Sequence, residues 1–240
     1  MIRIIKKIIN AIFNPIVGEV LMLHSITQHR EKIPKEKLRY SITPDYLESL
    51  IKEYRSKGFR FIALDEVEQL ITKQVKPKGK VACFTLDDGY ADNFREAYPI
   101  FKQYNCPFTI YISTDYPISK EYLLTERQIY ELSQDSLCTI GAHTKHHFRL
   151  SKISETDCYD EILENKLQLE KIIKKEVTHF SYPYGDCNER VVSMVKEIGF
   201  HTAVCAWGDS FRASSNPFLM PRKEIFLSRT SRNQKLLQKE

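Results

Sequence analysis

Short apolar runs alternate with longer amphipathic stretches along most of the chain. The run VACFTL (81–86) holds only β-branched, aromatic, aliphatic or small residues before it meets Asp87-Asp88-Gly89, and it reads as a buried strand. Three further runs share that form: 20–23 leads to His24, 137–140 leads to His143, His146 and His147, and 177–182 leads to Pro183, Tyr184 and Gly185. Between them, residues 44–58, 91–104, 154–175 and 189–199 repeat apolar positions at helical spacing. Alternating strand and helix predicts an α/β fold built on a parallel sheet or barrel, with the residues that follow each strand gathered on one face. All of these strand ends carry polar or turn chemistry, so their convergence says more than any one motif.

Asp87 and Asp88 are the sharpest candidates. Adjacent carboxylates at the exit of a buried strand repel each other and lose hydration, an arrangement that a metal ion or a reacting proton would relieve. The competing interpretation is an Asp-Asp-Gly turn followed by a helix cap. His143 and His147 stand at i, i+4, which predicts two imidazoles on one side of a helical turn. Asp88 would then complete a set of two His and one carboxylate with positions open to water and substrate. His146, at i+3, competes with His147 for that place.

These motifs resemble those of the polysaccharide deacetylase family, the carbohydrate esterases that share the NodB homology domain. FTLDDGY is similar to its TFDDG motif, HTKHH to H[ST]xxH, and SYPYG to RxPYG. The resemblance runs from about Leu21 to Ile225 and implies a distorted (β/α) barrel and a metal-dependent N-deacetylase. It implies Asp87 as general base, Asp88, His143 and His147 as ligands of one divalent metal, most simply Zn2+, and the Tyr184 backbone N–H at the oxyanion. Ser181 stands where many members carry Arg, and the late Asp/Trp and Leu-x-His motifs are not recognisable after Gly199. A branch that includes the poly-N-acetylglucosamine deacetylases carries its acidic His early, and LMLHS and NPFLMPRKEI resemble that branch. By this match His24 is the general acid, and Arg222 orients the base in place of the missing Arg.

Amide hydrolysis requires an activated water, a stabilised oxyanion and a proton for the departing amine. The named residues supply one group for each task. By residue type alone, without the resemblance, His24 reads first as a core-edge histidine bonded to a backbone carbonyl. The expected partner is an N-acetylated glycan, polymeric or a precursor. The alternatives are a catalytically weak carbohydrate-binding protein on the same fold, or an amide hydrolase acting on a non-sugar substrate.

Composition suits one catalytic domain over 19–240. The chain has 240 residues, 42% hydrophobic, with no linker or repeat dividing it. A formal charge of +5 is too dispersed for a nucleic-acid surface, so no nucleic-acid partner is expected. The six cysteines form no CxxC pair and predict buried thiols in a reducing, cytoplasmic setting. MIRIIKKIINAIF predicts an amphipathic helix within 1–18, too short to span a membrane. It would either cover the barrel bottom or hold residues 1–13 against an anionic membrane surface.

Overall fold

The computed structural model describes residues 16–29, 38–73 and 77–226. Strands β1 (Ile16–Leu23), β5 (Lys80–Leu86), β6 (Phe108–Ile112), β7 (Cys138–Ala142), β8 (His179–Ser181) and β9 (Thr202–Val204) form a parallel succession in the order β1-β5-β6-β7-β8-β9. The short β10 (Phe211–Arg212) adds antiparallel to β1, and β4 (Phe59–Phe61) adds parallel to β5. A separate small pair joins β2 (Ser25–Ile26) to β3 (Ser41–Ile42). The sheet curls, and the stretch from Met220 to β11 (Lys223–Glu224) fills the seam between its ends. Met220 bridges Val204 of β9, while β11 pairs with Leu21 and Met22 of β1. The expected distorted barrel is what forms.

The pleat sorts the side chains of β5. Ala82, Phe84 and Leu86 pack outward among the helices, whereas Val81 and Cys83 join the inner cluster with Val20, Tyr111, Val204 and Met220. Helix α2 (Leu64–Thr72) inserts Leu64, Val67, Leu70 and Ile71 into that inner cluster and plugs one end of the barrel. The outer layer comprises α1 (Pro44–Ser56), α3 (Tyr98–Gln103), α4 (Glu126–Gln134), α5 (Glu155–Ile173) and α6 (Glu189–Glu197). Local signals set their ends. Thr43 caps α1 by accepting from the Tyr46 N–H with Pro44 following, Thr125 and Gln128 close a capping box on α4, and Ser154 and Asn188 cap α5 and α6.

Two differences from the sequence reading have clear causes. The stretch 91–104 is not one helix: Asn93–Ala97 is a wide π-type turn that precedes α3. Pro99 has no N–H to give to the carbonyl four residues back, so the ladder reorganises around it. At the N-terminus, Ile16, Val17 and Gly18 belong to β1, so the expected helix cannot extend to 18. Gly18 is needed there for space, since a Cβ would lie 2.6 Å from the Val81 carbonyl and 2.9 Å from the Phe211 ring. The rest of that expected helix, and its membrane role, lie outside the described residues. No helix among the described residues is long and apolar enough to cross a membrane.

Candidate active site

Register brings His24 and Asp87 together. Leu23 of β1 is the partner of Leu86 of β5, and the Asp87 N–H donates to the Leu23 carbonyl at 2.9 Å. His24 therefore leaves its strand beside Asp87, and both continue the inward-facing parity of Val20 and Cys83. They line one cavity of about 270 Å³ with Asp88, His143, His147, Arg149, Tyr184, Arg39 and Tyr40. All seven residues named from the sequence lie at or directly beneath this cavity.

Arg222 forms its floor. Fully buried, it donates from Nη1 and Nη2 to the two oxygens of Asp87 at 2.7 and 2.6 Å. Its Nε donates to the Cys205 carbonyl at 2.8 Å, and its remaining N–H groups reach Thr85 Oγ1 at 3.1 Å and Ser181 Oγ at 3.0 Å. Every donor direction of the fork is thus used. Ser181 also donates to Asp87 at 3.3 Å, so it is part of the orienting network and not merely a lost arginine. Burial pushes the Asp87 carboxyl up, but the Arg222 guanidinium and His143 more than offset this and hold it below the usual carboxylate range.

Asp88, His143 and His147 converge above this pair. Their ligand atoms lie within 4.8 Å of one another. The two Nε2 atoms are 3.1 Å apart, and Asp88 Oδ1 is 3.6 Å from that of His143 and 3.3 Å from that of His147. His143 Nδ1 sits 2.7 Å from the Ser181 carbonyl, which can only accept, so the proton is on Nδ1 and the Nε2 lone pair points into the triad. Asp88 Oδ1 is buried and accepts no hydrogen bond. An orphaned carboxylate oxygen facing imidazole nitrogens is the donor set a divalent cation satisfies, so these residues fit a metal. Burial raises the Asp88 carboxyl, yet the imidazoles of His143, His24 and His147 outweigh it and keep the group ionised.

The backbone differs from the helical turn that the HxxxH spacing predicts. Residues 143–147 form a bend in which Thr144 and His147 adopt left-handed φ of 63° and 61°, and Thr144 Oγ1 accepts from the His147 N–H at 3.0 Å. Asp88 and Tyr184 are left-handed too, at 76° and 59°. Non-glycine residues gathered in this sparsely populated region mark a backbone held by its surroundings for the sake of side-chain placement. The bend also separates the histidines. His146 turns away to Glu161 and to Asp115 at 3.2 Å, which leaves His147 as the member of the triad.

The His24 ring packs 4.9 Å from Tyr40. Burial lowers its pKa from the ordinary imidazole range, against the pull of Asp88 and Asp87. Tyr184 covers the other side, its ring 4.6 Å from that of His147 and beneath the Arg149 guanidinium at 4.3 Å. Gly185, at φ +66°, lets this turn press on the loop after β9, where a Cβ would meet the Ala206 N at 2.9 Å.

Several supports escape a reading of motifs. Asn165, fully buried in α5, accepts from the His143 N–H at 2.9 Å and donates to the Ile112 carbonyl at 3.0 Å, and Ser113 donates to the His143 carbonyl at 2.6 Å. Trp207, the chain's one tryptophan, stands 54% exposed beside Gly185 at the rim. A lone Trp in the polar string AWGDS was its available signal.

A curled parallel sheet with an Asp-Asp pair and two histidines able to hold a metal at its open end defines a barrel of the deacetylase type. Residues 74–203 match the model of the polysaccharide deacetylase family, and the chain belongs to that family. YxkH of Bacillus subtilis (strain 168), provisionally named a polysaccharide deacetylase, is 28% identical over 186 residues, covering 77% of this chain and 63% of its own. The chain thus spans less than two thirds of that relative. The poly-β-1,6-N-acetyl-D-glucosamine N-deacetylase of Staphylococcus aureus (strain NCTC 8325 / PS 47) is 26% identical over 200 residues, 78% of this chain and 69% of its own. The Streptococcus pyogenes deacetylase PplD, solved with acetate, has a TM-score of 0.77 at 24% identity, covering 92% of this chain and 96% of its own. IcaB from Ammonifex degensii has a TM-score of 0.77 at 21% identity with the same coverage. These likenesses show a shared fold.

Proposed function

We propose that this chain is a metal-dependent hydrolase that removes N-acetyl groups from an amino sugar within a glycan. The observation that carries the reading is the Asp87–Arg222 ion pair set beneath the Asp88–His143–His147 triad, with His24 beside it in register. The S. aureus relative acts, by its name, on poly-β-1,6-N-acetylglucosamine, which makes β-1,6-linked N-acetylglucosamine the first substrate class to try.

Asp88, His143 and His147 would hold one divalent cation, and two imidazoles with one carboxylate suit Zn2+. Such a cation supplies Lewis-acid polarisation of the amide carbonyl and acidifies water. The other tasks fall to the chain. Asp87, kept ionised by Arg222, is placed to take a proton from the attacking water. The Tyr184 backbone N–H, presented by its left-handed turn, is offered to the developing oxyanion. An amine leaves poorly as an anion, so His24, protonated for that step, gives it a proton. The sum is amide plus water giving acetate and a free amine.

The test is acetate release from N-acetylated β-1,6-glucosamine oligosaccharides by metal-depleted protein, before and after Zn2+ addition. Release restored by the metal supports the reading. No release from any acetylated amino-sugar oligomer by fully loaded protein would sink it and favour a binding role.

A further inference from the structure

At the opposite end of the barrel lies a second group of ligating side chains that the proposed reaction does not use. His179 opens β8 with its ring fully buried and pointing toward the α2 plug. Its Nδ1 is 2.7 Å from Thr202 Oγ1, and its Nε2 is 2.8 Å from Asp65 Oδ1. Asp65 lies in the first turn of α2, and Glu68, three residues on, occupies the same helix face. The ligand atoms of Asp65, Glu68 and His179 fall within 4.8 Å of one another, and His201 Nδ1 is 3.5 Å from Glu68 Oε1.

We propose that Asp65, Glu68 and His179, with His201 at the rim, form a second divalent-cation site, closing the end of the barrel away from Asp88, His143 and His147. The Thr202 hydroxyl anchors the far nitrogen of the His179 ring, which fixes its plane and leaves Nε2 directed at the carboxylates, as supporting contacts do for histidine ligands. Carboxylate oxygens with one or two imidazole nitrogens suit a borderline cation such as Zn2+ or Co2+. A hydrogen bond from His179 to Asp65 would by itself satisfy the buried ring, but it gives no reason for the Glu68 carboxylate to come within 4.8 Å of the ligand atoms of both. The Asp65 side chain is 60% exposed, so an ion can enter from solvent. Bound there, it would pin α2 to the starts of β8 and β9, a structural role separate from turnover.

The experiment is Zn2+ titration of the metal-depleted full chain by calorimetry, with bound metal counted after gel filtration. The variants are Asp88→Ala/His143→Ala, Glu68→Gln/His201→Ala, and all four changes together. Glu68 and His201 are only partly buried, so their replacement spares the core, and His179 is left in place. Two equivalents are expected for the wild type and one for each double variant. The fourfold variant should bind at least tenfold more weakly at both sites. Zn2+ should raise the melting temperature of Asp88→Ala/His143→Ala but not of the fourfold variant, and Glu68→Gln/His201→Ala should release acetate as the wild type does. One equivalent in the wild type, lost with Asp88 and His143 and indifferent to Glu68 and His201, would overturn the second site and leave the proposed function standing. One equivalent lost only with Glu68 and His201 would uphold it and remove the metal basis of that function.

Discussion

Asp87 and Asp88 are neighbours with opposite assignments, and what separates them is which groups they face. Asp87 turns down onto Arg222 through a bidentate pair, while Asp88 turns up toward His143 and His147. Asp87→Asn should therefore keep stoichiometric metal and lose about 10²–10⁴-fold in turnover, read as metal content against acetate release. Asp88→Ala should lose the metal first. His24→Ala should keep the metal, slow amide hydrolysis strongly and slow acetate esters less, because an alcohol leaves more readily than an amine without a proton. Equal slowing of both substrates would argue against proton donation by His24. Arg222→Met leaves a buried carboxylate without its counter-ion, a change that costs on the order of 3–5 kcal/mol. Urea unfolding should show that loss, and Asp87→Asn added to Arg222→Met should recover part of it.

Among the elements, strands carry the chemistry and turns aim it. The ends of β1 and β5 are in register, so pleat parity alone sends His24 and Asp87 inward. The histidine bend and the Tyr184 turn need left-handed residues and specific neighbours. Gly185→Ala tests the second of these: the new Cβ would meet the Ala206 backbone at 2.9 Å in a conformation that disfavours it. Stability should fall by about 1–3 kcal/mol, with a rise in KM as Tyr184 and Trp207 lose their mutual position. An unchanged melting temperature and KM would show that the turn relaxes freely.

Across the whole molecule, proton linkage reaches beyond the site. Asp92 sits near the open end and accepts from the Ser25 hydroxyl at 2.6 Å and the Ile26 N–H at 3.1 Å. Burial pushes its carboxyl up to about 7. In the unfolded chain the same group loses its proton near its ordinary value of 3.8. Between these values the unfolded state binds fewer protons, so the stabilisation present in acid is lost as pH rises toward 7. Asp92→Asn should flatten this dependence. The difference in unfolding free energy between pH 4.5 and 7.5 should shrink by about 1–4 kcal/mol relative to the wild type. An identical slope in both proteins would refute it.

The sequence by itself determined the parallel barrel, the face on which the chemistry collects and the residues that collect there. Those features rest on local patterns: apolar runs of strand length, Asp87-Asp88-Gly89 at one exit, and HTKHH and SYPYG at two others. It could not show that His143 and His147 meet through a left-handed bend, since one i, i+4 spacing suits both a helix and that bend. Ser181, read as a missing arginine contact, proved a partner of both Asp87 and Arg222, because its role depends on a residue 41 positions away. Asn165 beneath His143 and the His179–Asp65 pair at the other end were likewise decided only by the tertiary structure. Curling the sheet is what brings the start of β8 onto α2 and Arg222 under Asp87. Contacts of that separation leave no period or spacing in the chain to read.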